Sequence, residues 1–262
     1  MERVVHDGRE TAYREVDTGD GPTVCYVHGA GGSHRVWVRQ YGDPGGPSSV
    51  SLDLSGHGES GDIATSPGIE TIDAYADDVV AVCEKTGSTV LCGNSMGGAI
   101  TLWIALERAF DPEALILADS GAKLAVDPAF LGTLRDDFAA AIDSLHAPGT
   151  LFSDPTTELL KRSADGLWAT GQAVTLRDFE TCDAFDVRDR LGEIETPTLA
   201  LCGGNDPLTP PKFHEYLAEA IPDGRFHEIA GAAHMPMLER PRAFNGAVGK
   251  FLAEVTESGG AE

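Results

Sequence analysis

Thr23–Val27, Val50–Leu54, Thr89–Cys92, Ala114–Ala118 and Thr198–Cys202 are short runs of nearly unbroken apolar residues. Strands buried on both faces carry that pattern, because neither side of the pleat meets water. Between the runs the period changes from two to about 3.6. Tyr75, Val79 and Val82 mark a helix within Ile72–Lys85, and Ile100, Trp103, Ile104 and Leu106 mark another within Met96–Phe110. Before the first run, two polar stretches joined by Asp7-Gly8 read as a β-hairpin. Strand and helix in alternation predict an α/β domain with a mostly parallel sheet, whose ligands bind beyond the carboxyl ends of the strands.

One segment breaks the alternation. From about Lys123 to Asp183 helical patterns occur without a buried strand: Leu131, Leu134, Phe138, Ile142 and Leu145 fall at one helical spacing, and Leu159, Leu160, Leu167 and Trp168 at another after the Pro148-Gly149 turn. An all-helical insertion between two parallel strands would lie over their carboxyl ends. The expected organisation is therefore a core in two parts, 1–122 and 184–262, around a helical cap at 123–183, with a frayed tail from about residue 256.

Composition narrows the class. The 262 residues are 42% hydrophobic, enough for a large core, yet the formal net charge is −23. So much negative charge argues against nucleic-acid and anionic-membrane partners. Lysine occurs only at Lys85, Lys123, Lys161, Lys212 and Lys250, and the pattern resembles proteins of salt-accumulating microbes. A surface of this kind repels itself until ions screen it, over roughly 8 Å at physiological salt and about 3 Å at 1 M. The first residues carry no long apolar segment, so neither leader nor anchor is expected and the expected compartment is the cytoplasm. Cys25, Cys92 and Cys202 sit inside apolar runs, and no cysteine or histidine pair has metal spacing; no disulfide, metal or cofactor is expected.

The chemistry-bearing residues follow the strands. Gly93-Asn94-Ser95-Met96-Gly97 is a G-x-S-x-G sequence between a strand and a helix. His28-Gly29-Ala30-Gly31-Gly32 follows an earlier strand, Asp53-Leu54-Ser55-Gly56-His57-Gly58 the next, and Asp206 and His234 lie late in the chain. Taken in this order, from about Val4 to Val255, the sequence resembles the α/β-hydrolase superfamily, whose fold is a mostly parallel eight-stranded sheet with helices on both faces and, here, an inserted helical cap.

The resemblance implies a serine hydrolase in which Ser95 is the nucleophile, His234 the base and Asp206 the orienting acid. Asp119, at the end of the preceding strand, is the alternative acid, because some members use that position. The same resemblance assigns the oxyanion N–H groups to Met96 and Ala30, while His28 shapes the loop between them. A serine hydroxyl is a weak nucleophile until a base stands within hydrogen-bond reach, and the start of a helix supplies free N–H groups for the oxyanion. His28, Leu131, Leu134, Phe138 and Trp168 are candidate pocket residues, with plain core packing as the alternative. Arg135, Arg162 and Arg177 are candidates for binding a carboxylate, or else ordinary surface arginines.

A serine at the nucleophile position sets the chain apart from haloalkane dehalogenases and epoxide hydrolases, which use aspartate. Met96 differs from the aromatic residue of the proline-iminopeptidase-like branch, and Ala30–Gly32 lacks the aromatic-proline pair of many cofactor-free perhydrolases. The expectation is cleavage of a small-molecule carboxylic ester through an acyl-enzyme, by a monomer or homodimer. Thioester hydrolysis, lactone opening and carbon–carbon bond hydrolysis by the same residues are the alternatives, and a non-catalytic binding protein is the remaining one.

Overall fold

A computed structural model describes residues 1–19, 21–43 and 45–259. Its centre is an eight-stranded sheet in the order β1-β2-β4-β3-β5-β6-β7-β8, comprising β1 (Glu2–His6), β2 (Arg9–Val16), β3 (Val24–Val27), β4 (Ser49–Leu52), β5 (Val90–Asn94), β6 (Ala114–Ala118), β7 (Thr198–Gly203) and β8 (Gly224–Ile229). The pairs β1/β2 and β2/β4 are antiparallel, and every later pair is parallel. Asp7 and Gly8 both take positive φ, the signature of the tight turn that this dipeptide predicts.

The unbroken apolar runs are explained by burial on two sides. Leu91, Leu115 and Leu117 point into one core with Ile72, Tyr75, Val79 and Val82 of α1 (Ile69–Thr86) and Ile100 and Ile104 of α2 (Met96–Glu107). Val90, Cys92, Ile116 and Ala118, their immediate neighbours in sequence, point into a second core with Trp37 and with Phe244, Val248 and Phe251 of the closing helix. Each strand residue thus has a helix layer on its own side of the pleat. All five cysteines are buried free thiols. No described helix is long and apolar enough to cross a membrane.

Four helices occupy the insertion: α3 (Pro128–Asp136), α4 (Phe138–Leu145), α5 (Thr157–Thr170) and α6 (Gln172–Ala184). The periodic stretch Leu131 to Leu145 is two helices rather than one. Asp137 leaves helical backbone at φ −148°, ends α3, and its carboxylate caps α4 by accepting Ala140 N–H at 3.0 Å. An acid that caps one helix start at the end of another interrupts the helix without interrupting its apolar stripe. An antiparallel bridge between Lys123 and Asp186 draws the two ends of the insertion together.

After β7 come α7 (Pro211–Ala220), the short α8 (Pro236–Glu239) and α9 (Pro241–Gly259). At the tail expected from about residue 256, α9 is helical through Gly259, and Thr256 Oγ1 donates back to Leu252 O at 2.9 Å. Residues 260–262 lie outside the described residues.

Candidate active site

Ser95 ends β5 and begins α2, and it takes the strained backbone itself, at φ 54° and ψ −117°. A positive φ at a non-glycine residue costs on the order of 1–3 kcal/mol and persists only where neighbours hold it. Three do so here: Ser95 N–H donates to Ala118 O at 2.9 Å, while Ser95 O accepts from Gly98 N–H at 3.0 Å and from Ser120 Oγ at 2.7 Å. The glycines serve a different purpose, close approach. A Cβ on Gly93 would collide with Gly97 O, and one on Gly97 with Val27 O, so the helix start could not sit on the strand ends.

The loop after β3 runs over this turn. A Cβ on Gly29 would lie 3.1 Å from the Cβ of Ser95, which puts Ala30 and Gly31 at the rim of the same space. Met96 begins α2, and a first helical residue has no partner for its N–H inside the helix. Fully buried His28 is held neutral, its pKa lowered to about 4 by burial and by the nearby His57. Its Nδ1 lies 2.9 Å from Gly29 O and its Nε2 accepts Leu54 N–H at 3.1 Å. His28 therefore shapes the loop from behind and does not line the cavity, contrary to its place among the expected pocket residues.

His234 lies in the loop between β8 and α8, with Nδ1 2.9 Å from Asp206 Oδ2. Asp206 follows β7 and accepts three more bonds: Leu208 N–H at 2.8 Å and Thr209 N–H at 3.1 Å on Oδ1, and Thr209 Oγ1 at 2.6 Å on Oδ2. Burial alone would raise this carboxyl, but the facing imidazole and the Thr209 hydroxyl and amide outweigh it and hold Asp206 well below the usual carboxylate range. An ionised Asp206 fixes the proton on Nδ1 and leaves the Nε2 lone pair for a substrate proton. Ser95 and His234 line one cavity. Ser95 Oγ makes no hydrogen bond among the described residues; such bonds often close only when substrate is present.

The alternative acid, Asp119, is close by but in a different state. It is fully buried, at φ 45°, and its Oδ1 accepts Gly203 N–H at 2.8 Å. Burial first, and then the charge on Asp206, push its carboxyl well above the usual range. Asp119, Asp206 and His234 bring ligand-type atoms within 4.8 Å of one another. Four donors already occupy Asp206, so the trio is a proton-holding network rather than an open metal cradle.

A cavity of about 1990 Å³ opens above Ser95, between the sheet and the four inserted helices. Its apolar walls include Phe130, Leu145, Leu151, Leu167, Phe179 and Phe213. Leu131, Leu134, Phe138 and Trp168, expected at the pocket, are not in its lining. Leu134 and Phe138 pack with Ala141, Ile142 and Leu145 in a separate small core, which Leu131 joins at its edge. Trp168 is 53% exposed, and its ring meets Phe138 edge-on at 5.1 Å. Leu131, Leu134, Phe138 and Ile142 thus form the seam that holds the helices to one another, whereas Leu145, Leu159 and Leu167, at the same helical spacing, also line the cavity. Which members of one apolar stripe also meet the cavity is something that the sequence period alone cannot separate.

Of the three candidate arginines, Arg162 lines the cavity beside Glu158, and Arg135 and Arg177 do not. Arg135 pairs with Glu180 at 2.7 Å and Arg162 with Glu158 at 2.7 Å, both exposed, whereas Arg177 is largely buried against Asp62, Ile63 O and Tyr75. Sequence reasoning gave no role to Thr209 or Asp178. An aspartate followed three residues later by threonine before a helix is a local capping pattern, which is a signal for Thr209. Asp178 is one acid among many on a polar helix, and nothing in the sequence marks it.

Comparison with known proteins adds to this geometry. A model described as the alpha/beta hydrolase family matches residues 26–247. A pimeloyl-[acyl-carrier protein] methyl ester esterase of Neisseria meningitidis is 28% identical over 251 residues, which cover 89% of this chain and 78% of that one. 3-Oxoadipate enol-lactonase 2 of Acinetobacter baylyi is 28% identical over 252 residues, 90% of each chain. The solved structure of a thermophilic esterase superposes with a TM-score of 0.85 at 29% identity over 97% of both chains.

Proposed function

The chain belongs to the alpha/beta hydrolase family, and from that premise we propose that it is a carboxylic ester hydrolase working through an acyl-enzyme on Ser95. The observation that carries the reading is the ionised Asp206 with its carboxylate 2.9 Å from His234 Nδ1, at the rim of the cavity that Ser95 also lines. Relatives named as a methyl ester esterase and an enol-lactonase, and a neighbouring esterase structure, support hydrolysis of ester bonds.

In this reading Ser95 Oγ attacks the ester carbonyl carbon as His234 Nε2 takes its proton. The carbonyl oxygen becomes an oxyanion held by the N–H groups of Ala30 and Met96, each worth about 2.7–4 kcal/mol of barrier. His234 returns the proton to the departing alkoxide, the alcohol leaves, and water, deprotonated by the same nitrogen, releases the acid from Ser95. The helices at 123–183 act as the cap, and Leu145, Leu151, Leu167 and Phe179 supply the apolar wall for the acyl or alcohol part. Lactone opening is the second reading, favoured by the enol-lactonase relative, and it uses the same steps with the leaving alcohol tethered.

The test is turnover of p-nitrophenyl acetate and of a panel of lactones by wild type, Ser95→Ala and His234→Ala. Turnover by wild type that falls by about 10⁶ in either variant supports the reading. Turnover that survives in Ser95→Ala overturns it.

A further inference from the structure

Gly31, next to the loop residue Ala30, is held on both sides of its backbone by the helices above. Its N–H donates to Asp178 Oδ2 of α6 at 2.8 Å, and its C=O accepts Thr170 Oγ1 at the end of α5 at 2.9 Å. Gly31 stands at φ 66°, and a Cβ there would collide with Leu167 of α5, so the loop and helices meet without a gap. Asp178 is fully buried and accepts two further bonds, from His57 Nε2 at 2.8 Å and Tyr75 OH at 2.7 Å. A buried carboxylate carrying three donors from the sheet side of the cavity is a rigid fixture, and the loop is one of the three things it holds.

We propose that Asp178 is the positioning residue for the oxyanion loop, so that seating α6 on the core and assembling the oxyanion hole are one event. The inference rests on the hydrolase reading for its catalytic consequence and on the Gly31 bonds alone for its structural one. The Gly31 N–H belongs to the Ala30–Gly31 peptide, so the plane that Asp178 grips fixes the direction of the backbone at Ala30. Without that grip the Ala30 N–H is free to swing, and a misplacement of about 1 Å at a reacting centre costs on the order of 10² in rate. His57 and Asp178 form a buried pair between the loop after β4 and α6, which keeps the carboxylate charged and in place. The arrangement makes the helices above the site part of its chemistry, beyond enclosing the substrate.

A residue that only shaped the substrate pocket would affect long acyl chains and spare small ones. Asp178→Ala should therefore lower kcat on p-nitrophenyl acetate by about 10² with KM nearly unchanged, and weaken a small trifluoromethyl ketone inhibitor, whose hemiketal oxyanion occupies the hole, by a similar factor. Asp178→Asn, which keeps an oxygen for Gly31 N–H, should recover most of both losses. Thr170→Val, which removes the hydroxyl's bonds to Gly31 O and Gly32 O and leaves the Asp178 bond in place, should move kcat in the same direction by less, and it provides the test if Asp178→Ala does not fold. Full kcat on the acetate in Asp178→Ala, or in Thr170→Val where that variant stands in, would overturn the proposal, as would equal loss in the Ala and Asn variants with inhibitor affinity unchanged. Hydrogen exchange reads the same clamp without turnover: amides in segment 28–33 should exchange faster in Asp178→Ala and near the wild-type rate in Asp178→Asn. Unchanged exchange overturns the proposal, whereas a wild type that cleaves no ester overturns the hydrolase reading and leaves the exchange to decide this one.

Discussion

Asp206→Asn is the substitution whose effect the structure specifies most fully. Oδ1 of Asp206 accepts two backbone amides, from Leu208 at 2.8 Å and Thr209 at 3.1 Å. An amide oxygen must take that position, because an NH₂ there would face two donors. The NH₂ is then forced into the place of Oδ2, 2.9 Å from His234 Nδ1 and 2.6 Å from Thr209 Oγ1. Thr209 can rotate its hydroxyl to accept, but His234 can accept only by moving its proton to Nε2. That tautomer has no lone pair for the serine proton, so the base is disabled while the fold is kept. Forcing the wrong tautomer on a triad histidine lowers kcat by about 10⁴, or about 5 kcal/mol of barrier. The loss of stability should be only about 1–3 kcal/mol, since one hydrogen-bond pattern is exchanged for another. The assay is kcat for p-nitrophenyl acetate beside the melting temperature of the same preparation. A folded Asp206→Asn enzyme within tenfold of wild type would refute the assignment of Asp206 as the orienting acid.

Asp119→Asn keeps an oxygen for Gly203 N–H and should change kcat by less than about tenfold, the value of a single hydrogen bond; a loss as deep as that of Asp206→Asn would exchange the two roles. The buried His57–Asp178 pair predicts a pH-dependent stability. Burial opposes the charge on His57, but the charge and hydrogen bond of Asp178 outweigh it, and its pKa is raised from 6.5; Asp178 is correspondingly lowered from 3.8. The raised histidine adds stability that is complete below about pH 6.5 and is lost as pH rises through its folded value. The lowered aspartate adds stability that is present above about pH 3.8 and is lost as pH falls through its own. The melting-temperature difference between wild type and His57→Gln should be widest between about pH 4 and 6.5 and narrow on the alkaline side; widening there contradicts the pairing. The net charge of −23 predicts a marked fall in melting temperature on dialysis from about 2 M to 0.05 M potassium chloride, and an unchanged value would show that self-repulsion is minor.

The sheet was legible because Leu91 and Cys92, or Leu115 and Ile116, are apolar on both faces of the pleat, a pattern that surface strands do not carry. Ser95, Asp206 and His234 stand out as candidates in the sequence because each follows a strand end in a run of small residues or a Gly-Asn-Asp-Pro turn, where a side chain is displayed rather than packed. The pocket was not. Leu131, Leu134 and Phe138 occupy the helical stripe that seals helix to helix, while Phe130 and Phe179, at the edge of the same small core, also face the cavity, with their ring centroids 5.1 Å apart. Both sets are apolar, and only the relative rotation of the helices assigns them. The split at Asp137 is local capping that leaves the periodicity intact. Asp178 and His57 lie 121 residues apart in the chain, and their pairing depends on where α6 settles on the core, which no local pattern encodes.

The central claim is that Ser95 is a nucleophile activated by His234, and covalent labelling tests it without any assumption about the natural substrate. Wild type treated with a fluorophosphonate probe should gain one adduct, located by peptide mass spectrometry on Ser95. The Ser95→Ala protein should gain none, and His234→Ala should label far more slowly. Equal labelling of Ser95→Ala, or an adduct on any other residue of a folded and unlabelled-at-Ser95 wild type, would contradict the account.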